Sequence, residues 1–91
     1  MVTKKELSPE LDLLTKSLLT RQLWLYNDDV NSFDDVIDSL IEICDHDPIQ
    51  AEQCAFITHA KGKCMVKKGE LKELEILMVA LFDRGLTVSI K

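Results

Sequence analysis

Asn27, Asp28 and Asp29 stand directly behind the apolar run Leu23-Trp24-Leu25-Tyr26, and His59 ends an apolar-periodic segment well downstream. An amide oxygen, a carboxylate and a neutral imidazole nitrogen are all hydrogen-bond acceptors. Brought together, Asn27, Asp28 and His59 would suit an ammonium group, which offers three donors and no acceptor. The same set could hold a divalent metal, since His and Asp are ordinary ligands, but the spacing matches no metal motif. Taken apart, the residues have plainer uses. Asn and Asp bond local backbone groups in turns, and a His near a helix C-terminus can satisfy the last carbonyls and the helix dipole. Periodicity does not settle whether His59 faces the exit of the strand.

The elements that would position these groups follow from pattern and punctuation. Four large apolar residues from Leu23 to Tyr26 read as a buried strand running from Gln22, and Asn27 to Asn31 as the loop it enters. Ser32 can cap a helix whose first turn carries Asp34 and Asp35, and Val36, Ile37, Leu40, Ile41 and Cys44 form one apolar stripe along it. Asp47-Pro48-Ile49-Gln50 starts a second helix with an N-cap, a Pro at N1 and capping-box spacing, and that helix runs to about His59. The short connection requires the two helices to lie side by side or to cross closely. Gly62 ends the second helix, Lys63 to Lys68 has the length of a strand, and Gly69 punctuates it. From Glu70, Leu71, Leu74, Leu77, Met78 and Leu81 mark a third helix that stops at Arg84-Gly85, with Arg84 as the last-turn cation. Leu86 to Ile90 alternates as a strand with one wet face. The order β-α-α-β-α-β predicts an α+β fold, a three-stranded, mostly antiparallel sheet on one side and three helices on the other. Residues 22–91 form this core domain. Residues 1–21 read as an N-terminal arm, either flexible or carrying a short helix capped at Ser8-Pro9 with Leu11, Leu14 and Leu18 on one face.

A chain of 91 residues with 46% hydrophobic and 30% charged content makes one globular domain with no room for a second core. Eleven Lys and Arg against sixteen Asp and Glu give a net charge of −5, which argues against nucleic acid and favours cationic groups on a partner. No apolar stretch is long enough to span a bilayer, and no apolar signal core follows Met1, so a cytoplasmic protein that does not enter membranes is expected. Cys44, Cys54 and Cys64 fit neither a disulfide framework nor a C-x-x-C pair, which leaves buried, reduced thiols. No cofactor and no metal are expected.

Tyr26-Asn27-Asp28-Asp29 before a helix, and His59-Ala60-Lys61-Gly62-Lys63 after a helix pair, resemble the ClpS family of protease adaptors. The resemblance covers residues 22–90 and includes the β-α-α-β-α-β order, which the C-terminal domain of the bacterial ribosomal stalk protein also shares. It implies a non-enzymatic N-degron receptor that captures proteins by a bulky hydrophobic N-terminal residue and delivers them to a Clp-type AAA+ unfoldase and protease. Carried over, Asn27, Asp28 and His59 would hold the free α-amino group, with Asp29 adding negative potential at the rim. Asn31, Phe33, Val36, Leu40, Ala55 and Thr58 would line the side-chain pocket. The chain departs from the family where Asp28-Asp29-Val30-Asn31-Ser32-Phe33 replaces Asp-Asp-Tyr-Thr-Pro-Met, so a stiff ring stands at the pocket gate. Ala55 and Thr58 replace larger apolar residues, and Leu77 stands where the unfoldase-docking face would carry a Lys. In the family the N-terminal arm enters the unfoldase during delivery, a role that residues 1–21 could serve. The competing expectation keeps the fold but lets Phe33 close the pocket, leaving an interaction domain that binds a partner through its helix faces. An enzyme using Asp28, Asp29 and His59 requires a turnover or metal dependence that nothing in the sequence demands.

Overall fold

The computed structural model describes residues 19–91. The expected N-terminal helix from Ser8 to Leu18, and any role of that arm, lie outside the described residues. The elements are β1 (Arg21–Tyr26), α1 (Phe33–Cys44), α2 (Pro48–Lys61), β2 (Lys63–Gly69), α3 (Leu71–Asp83) and β3 (Thr87–Ile90). β1 lies in the middle of the sheet, in the order β2-β1-β3, and both neighbours run antiparallel to it. The expected α+β arrangement is therefore present.

The apolar run in β1 is not buried on both faces, as four large residues in a row suggest. Leu23 and Leu25 are fully buried under the helices, whereas Trp24 and Tyr26 are half-buried on the other face. A sheet covered on one side alternates in this way. The wet face tolerates Trp24 because the Lys63 and Lys91 ammonium groups lie 5.3 and 5.5 Å from its ring centroid, where the negative face of the indole attracts cations. The Trp24 indole N–H also donates to the Gln22 side-chain oxygen. Among the described residues no strand contains an acidic residue. Arg21, Lys63, Lys67 and Lys68 lie in the strands, while the carboxylates among the described residues lie on helices and connections.

The β1–β2 ladder contains a bulge that sequence pattern did not show. Leu23 pairs with Lys67 and Trp24 with Met65, which leaves Val66 as the extra residue of β2. Its carbonyl accepts from Nε2 of His46 at 2.6 Å. His46 is brought there by the end of α1, where Asp45 takes a left-handed conformation with φ 57° and turns the chain inward. The His46 ring is buried, and its Nδ1 has no hydrogen-bond partner.

The helices begin and end as their caps require. Ser32 Oγ accepts the Asp35 N–H at 3.1 Å, and Asp47 Oδ1 accepts the Gln50 N–H at 2.8 Å with Pro48 at the first helical position. On α1 the buried stripe ends in Leu40 and Cys44, with Val36, Ile37 and Ile41 packed partly against the core. α2 instead buries the small set Ala51, Cys54, Ala55 and Thr58, which lets its backbone approach α1 and the sheet. α3 inserts Leu74 and Leu81, both fully buried. Arg84 is the cap of α3 rather than a last-turn residue, with Gly85 following at φ 81°, and its guanidinium pairs with Glu42 of α1. All three cysteines are buried free thiols. Burial pushes the Cys44 thiol up to about 11 and the Cys54 thiol up to about 12, so neither forms a thiolate near neutral pH.

Two substitutions test these supports. Gly62 closes α2 with its N–H on the Thr58 carbonyl and has φ 91°, yet a Cβ there would meet nothing within 4 Å. Gly62→Ala therefore isolates the backbone conformation, and urea denaturation should show a loss of about 1–2 kcal/mol. His46→Ala strands the Val66 carbonyl and opens a gap beneath the bulge, with an expected loss of about 1–3 kcal/mol in the same measurement.

Candidate functional site

Asn27 and His59 come together because β1 and β2 pair. Tyr26 lies opposite Lys63, and the Asn27 N–H continues the ladder by donating to the Gly62 carbonyl at 2.9 Å. Gly62 caps α2, and His59 lies in the last turn of that helix. The strand exit and the helix end thus meet at one edge of the fold. The Asn27 amide and the His59 ring make no hydrogen bond among the described residues, and both line the same cavity.

Asp28 is held much more firmly. Its Oδ1 accepts the backbone N–H groups of Val30 and Asn31, each at 2.8 Å, and its Oδ2 accepts the Asn31 side-chain N–H at 3.1 Å. Partial desolvation pushes the Asp28 carboxyl pKa up, but the donors from Asn31 and Val30 outweigh it and hold the group below its ordinary value of 3.8. Asp28 is therefore anionic at neutral pH, and it also folds its own loop. Asn31 carries the brace further, donating from the same amide nitrogen to the Gly85 carbonyl at 2.9 Å. The loop after β1 is in this way tied to the turn between α3 and β3.

Behind this polar edge lies a cavity of about 350 Å³, within the roughly 300–1,000 Å³ range of small-ligand sites. Asn27, Asp28, Asp29 and His59 line it together with Asn31, Phe33, Val36, Ala55 and Thr58. Thr58 is buried and commits its hydroxyl hydrogen to the Cys54 carbonyl at 2.7 Å, so it offers no free donor to an occupant. Phe33 is 42% exposed and forms a wall of the cavity without filling it.

Leu40 corrects the sequence expectation. One turn beyond Val36, it is fully buried in the core cluster and is not among the residues lining the cavity. Two lining residues were missed, Leu25 and Tyr26. The signal for them was available, since the last residues of a strand must flank whatever its exit loop encloses. Among the described residues no group of three or more His, Cys, Asp or Glu is placed to hold a metal ion. The arrangement offers hydrogen-bond acceptors and negative charge at a rim, with an apolar recess behind it.

Residues 20–88 match the family model described as ATP-dependent Clp protease adaptor protein ClpS. No curated protein matches the chain. Among solved structures, the fold is similar to that of Agrobacterium tumefaciens ClpS2 bound to L-phenylalaninamide, with a TM-score of 0.67 and 15% identity over 79% of this chain and 94% of that one. At that identity the likeness is one of fold. The family match, in contrast, runs from the entrance of β1 into β3 and includes both the strand exit and the end of α2 that meet at the cavity; the chain belongs to the ClpS family.

Proposed function

We propose that this chain is a non-catalytic cytoplasmic adaptor that captures proteins by a free, bulky hydrophobic N-terminal residue and delivers them to a Clp-family AAA+ unfoldase and protease. The observation that carries the reading is the open cavity of about 350 Å³ with acceptors gathered at its edge and an apolar interior. An α-amino group has a pKa of about 8 and is mostly cationic at neutral pH. Asn27 and His59 supply side-chain acceptors with no other partner among the described residues, and Asp28 supplies charge. The first side chain of the captured protein enters between Phe33, Val36 and Ala55, where burial of a Leu or Phe is worth about 1.5–3 kcal/mol. The related ClpS2 was solved with L-phenylalaninamide, a phenylalanine that keeps its free amino group. Exposure of Phe33 beside an unfilled cavity favours this reading over an interaction domain with a closed pocket.

Fluorescence anisotropy with labelled peptides tests it. Peptides beginning with free Phe or Leu should bind, and their acetylated counterparts should bind roughly 5- to 150-fold more weakly. Acetylation removes the charge and leaves acceptors unpaired, at about 1–3 kcal/mol. Equal binding of free and acetylated peptides would sink the reading. Asp28→Asn is a sharper probe than Asp28→Ala, because an amide oxygen can still accept the Val30 and Asn31 N–H groups. It should weaken binding about tenfold while lowering the unfolding midpoint less than Asp28→Ala does, because only the acceptor for the Asn31 side-chain N–H is lost.

The pH profile follows from the same groups. The Asp28 carboxyl titrates below 3.8, so its anionic form is kept until the pH falls through that lowered value. The ligand amine loses its proton as the pH rises through about 8. Affinity measured by calorimetry should therefore fall as the pH rises through about 8, approaching tenfold per unit above it.

A further inference from the structure

α2 is apolar on the side that faces water as well as on the side that faces the core. Ile49, Gln53 and Phe56 recur at i, i+4 and i+7 on the face opposite Ala51, Cys54 and Thr58, and Ile49 and Phe56 are 70% and 62% exposed. A helix of an isolated domain normally turns charged or polar residues outward, and a contiguous exposed apolar patch marks a place where something binds. These residues line a groove of about 410 Å³ with Glu52, Ile57 and Phe33. Phe33 also lines the first cavity. One aromatic ring therefore forms a common wall, and the groove continues from the mouth of the candidate site.

From this continuity we infer that the groove on the outer face of α2 is a second subsite of the same pocket. It takes an apolar side chain from the two residues that follow the captured N-terminal one. An extended chain advances about 6.7 Å in two residues, enough to carry a side chain past a single ring. Among the described residues Glu52 is the only charged one lining the groove, so an acidic side chain meets a like charge there. Gln53 offers an amide that can pair with the peptide backbone. The inference rests on the N-terminal-residue reading and adds to it a preference over the next positions.

The test compares affinities of the full chain for L-phenylalaninamide and for three peptides that begin with free Phe and continue Leu-Leu, Ser-Ser or Glu-Glu. The Leu-Leu peptide should bind about tenfold more tightly than the Ser-Ser peptide, the fold-change expected from partial burial of one large side chain, and the Glu-Glu peptide should bind weakest. Phe56→Ser and Ile49→Ser replace exposed groups outside the first cavity. Each should remove the Leu-Leu advantage while leaving the phenylalaninamide affinity and the circular-dichroism spectrum unchanged. Glu52→Gln should narrow the gap for the Glu-Glu peptide. Equal binding of the Leu-Leu and Ser-Ser peptides, or an advantage that survives in both Ser variants, overturns the subsite while the N-terminal reading stands. Absence of phenylalaninamide binding overturns both. If sedimentation shows a dimer that Phe56→Ser dissociates with peptide selectivity intact, the groove belongs to a second copy and the inference falls.

Discussion

The β1–β2 register sets Tyr26 opposite Lys63, and one step beyond it the Asn27 N–H reaches the Gly62 carbonyl. This backbone bond places the polar edge of the site, because Asn27 follows directly from one strand and His59 lies one turn before the glycine that starts the other. Side chains alternate along a strand with period two, so a slip of one residue would turn Leu23 and Leu25 out of the core and move Asn27 away from His59 together. The register cannot slip without exposing Leu23 and Leu25, and in this way the burial of two leucines fixes the site. The bulge at Val66 reinforces the choice, since the shifted carbonyl has its partner in His46 only at this register.

A second constraint operates on the loop. The Asp28 carboxylate accepts two backbone N–H groups and one amide N–H, and Asn31 passes the connection to Gly85 at the far end of α3. A residue that brings negative charge to the cavity is therefore also the one that shapes the cavity's rim. Its orientation is set before any ligand arrives, which reduces the ordering cost that binding would otherwise carry. The donors that lower its pKa are the same ones that hold the loop, so the negative charge and the loop's shape support each other.

Much of this was legible in the residues. Caps at Ser32 and Asp47, the glycines at 62 and 85, and the leucine spacing of α3 each announce an element through local chemistry, and local chemistry survives folding. The association of Asn27 with His59 was not legible from periodicity, because it depends on a ladder between residues distant in sequence. Trp24 and Tyr26 read as buried because four large apolar residues in a row carry no alternation of polarity. Only the lysines over Trp24, Lys63 in β2 and Lys91 just past β3, show why an aromatic can face water there. Leu40 and Val36 look alike on one helical stripe, and a single turn separates cavity wall from core. His46 looked like a break between helices, and its buried bond to a bulge carbonyl depends on a strand irregularity that no hydrophobic pattern records.

The absence of carboxylates from all three strands gives the molecule an electrical polarity. Arg21, Lys63, Lys67 and Lys68 lie in the sheet, while Asp28, Asp29, Asp34 and Asp35 surround the loop and the start of α1 beside the cavity. Under the proposed function, a cationic chain end diffusing nearby would be drawn toward the acidic loop, which would bias the orientation of encounters before contact. Fields of this kind act over about one Debye length, roughly 8 Å at physiological ionic strength. Under the proposed function, added salt would slow capture while leaving the departure of a bound chain end nearly unchanged, and the distribution of surface charge would set how quickly the site is found.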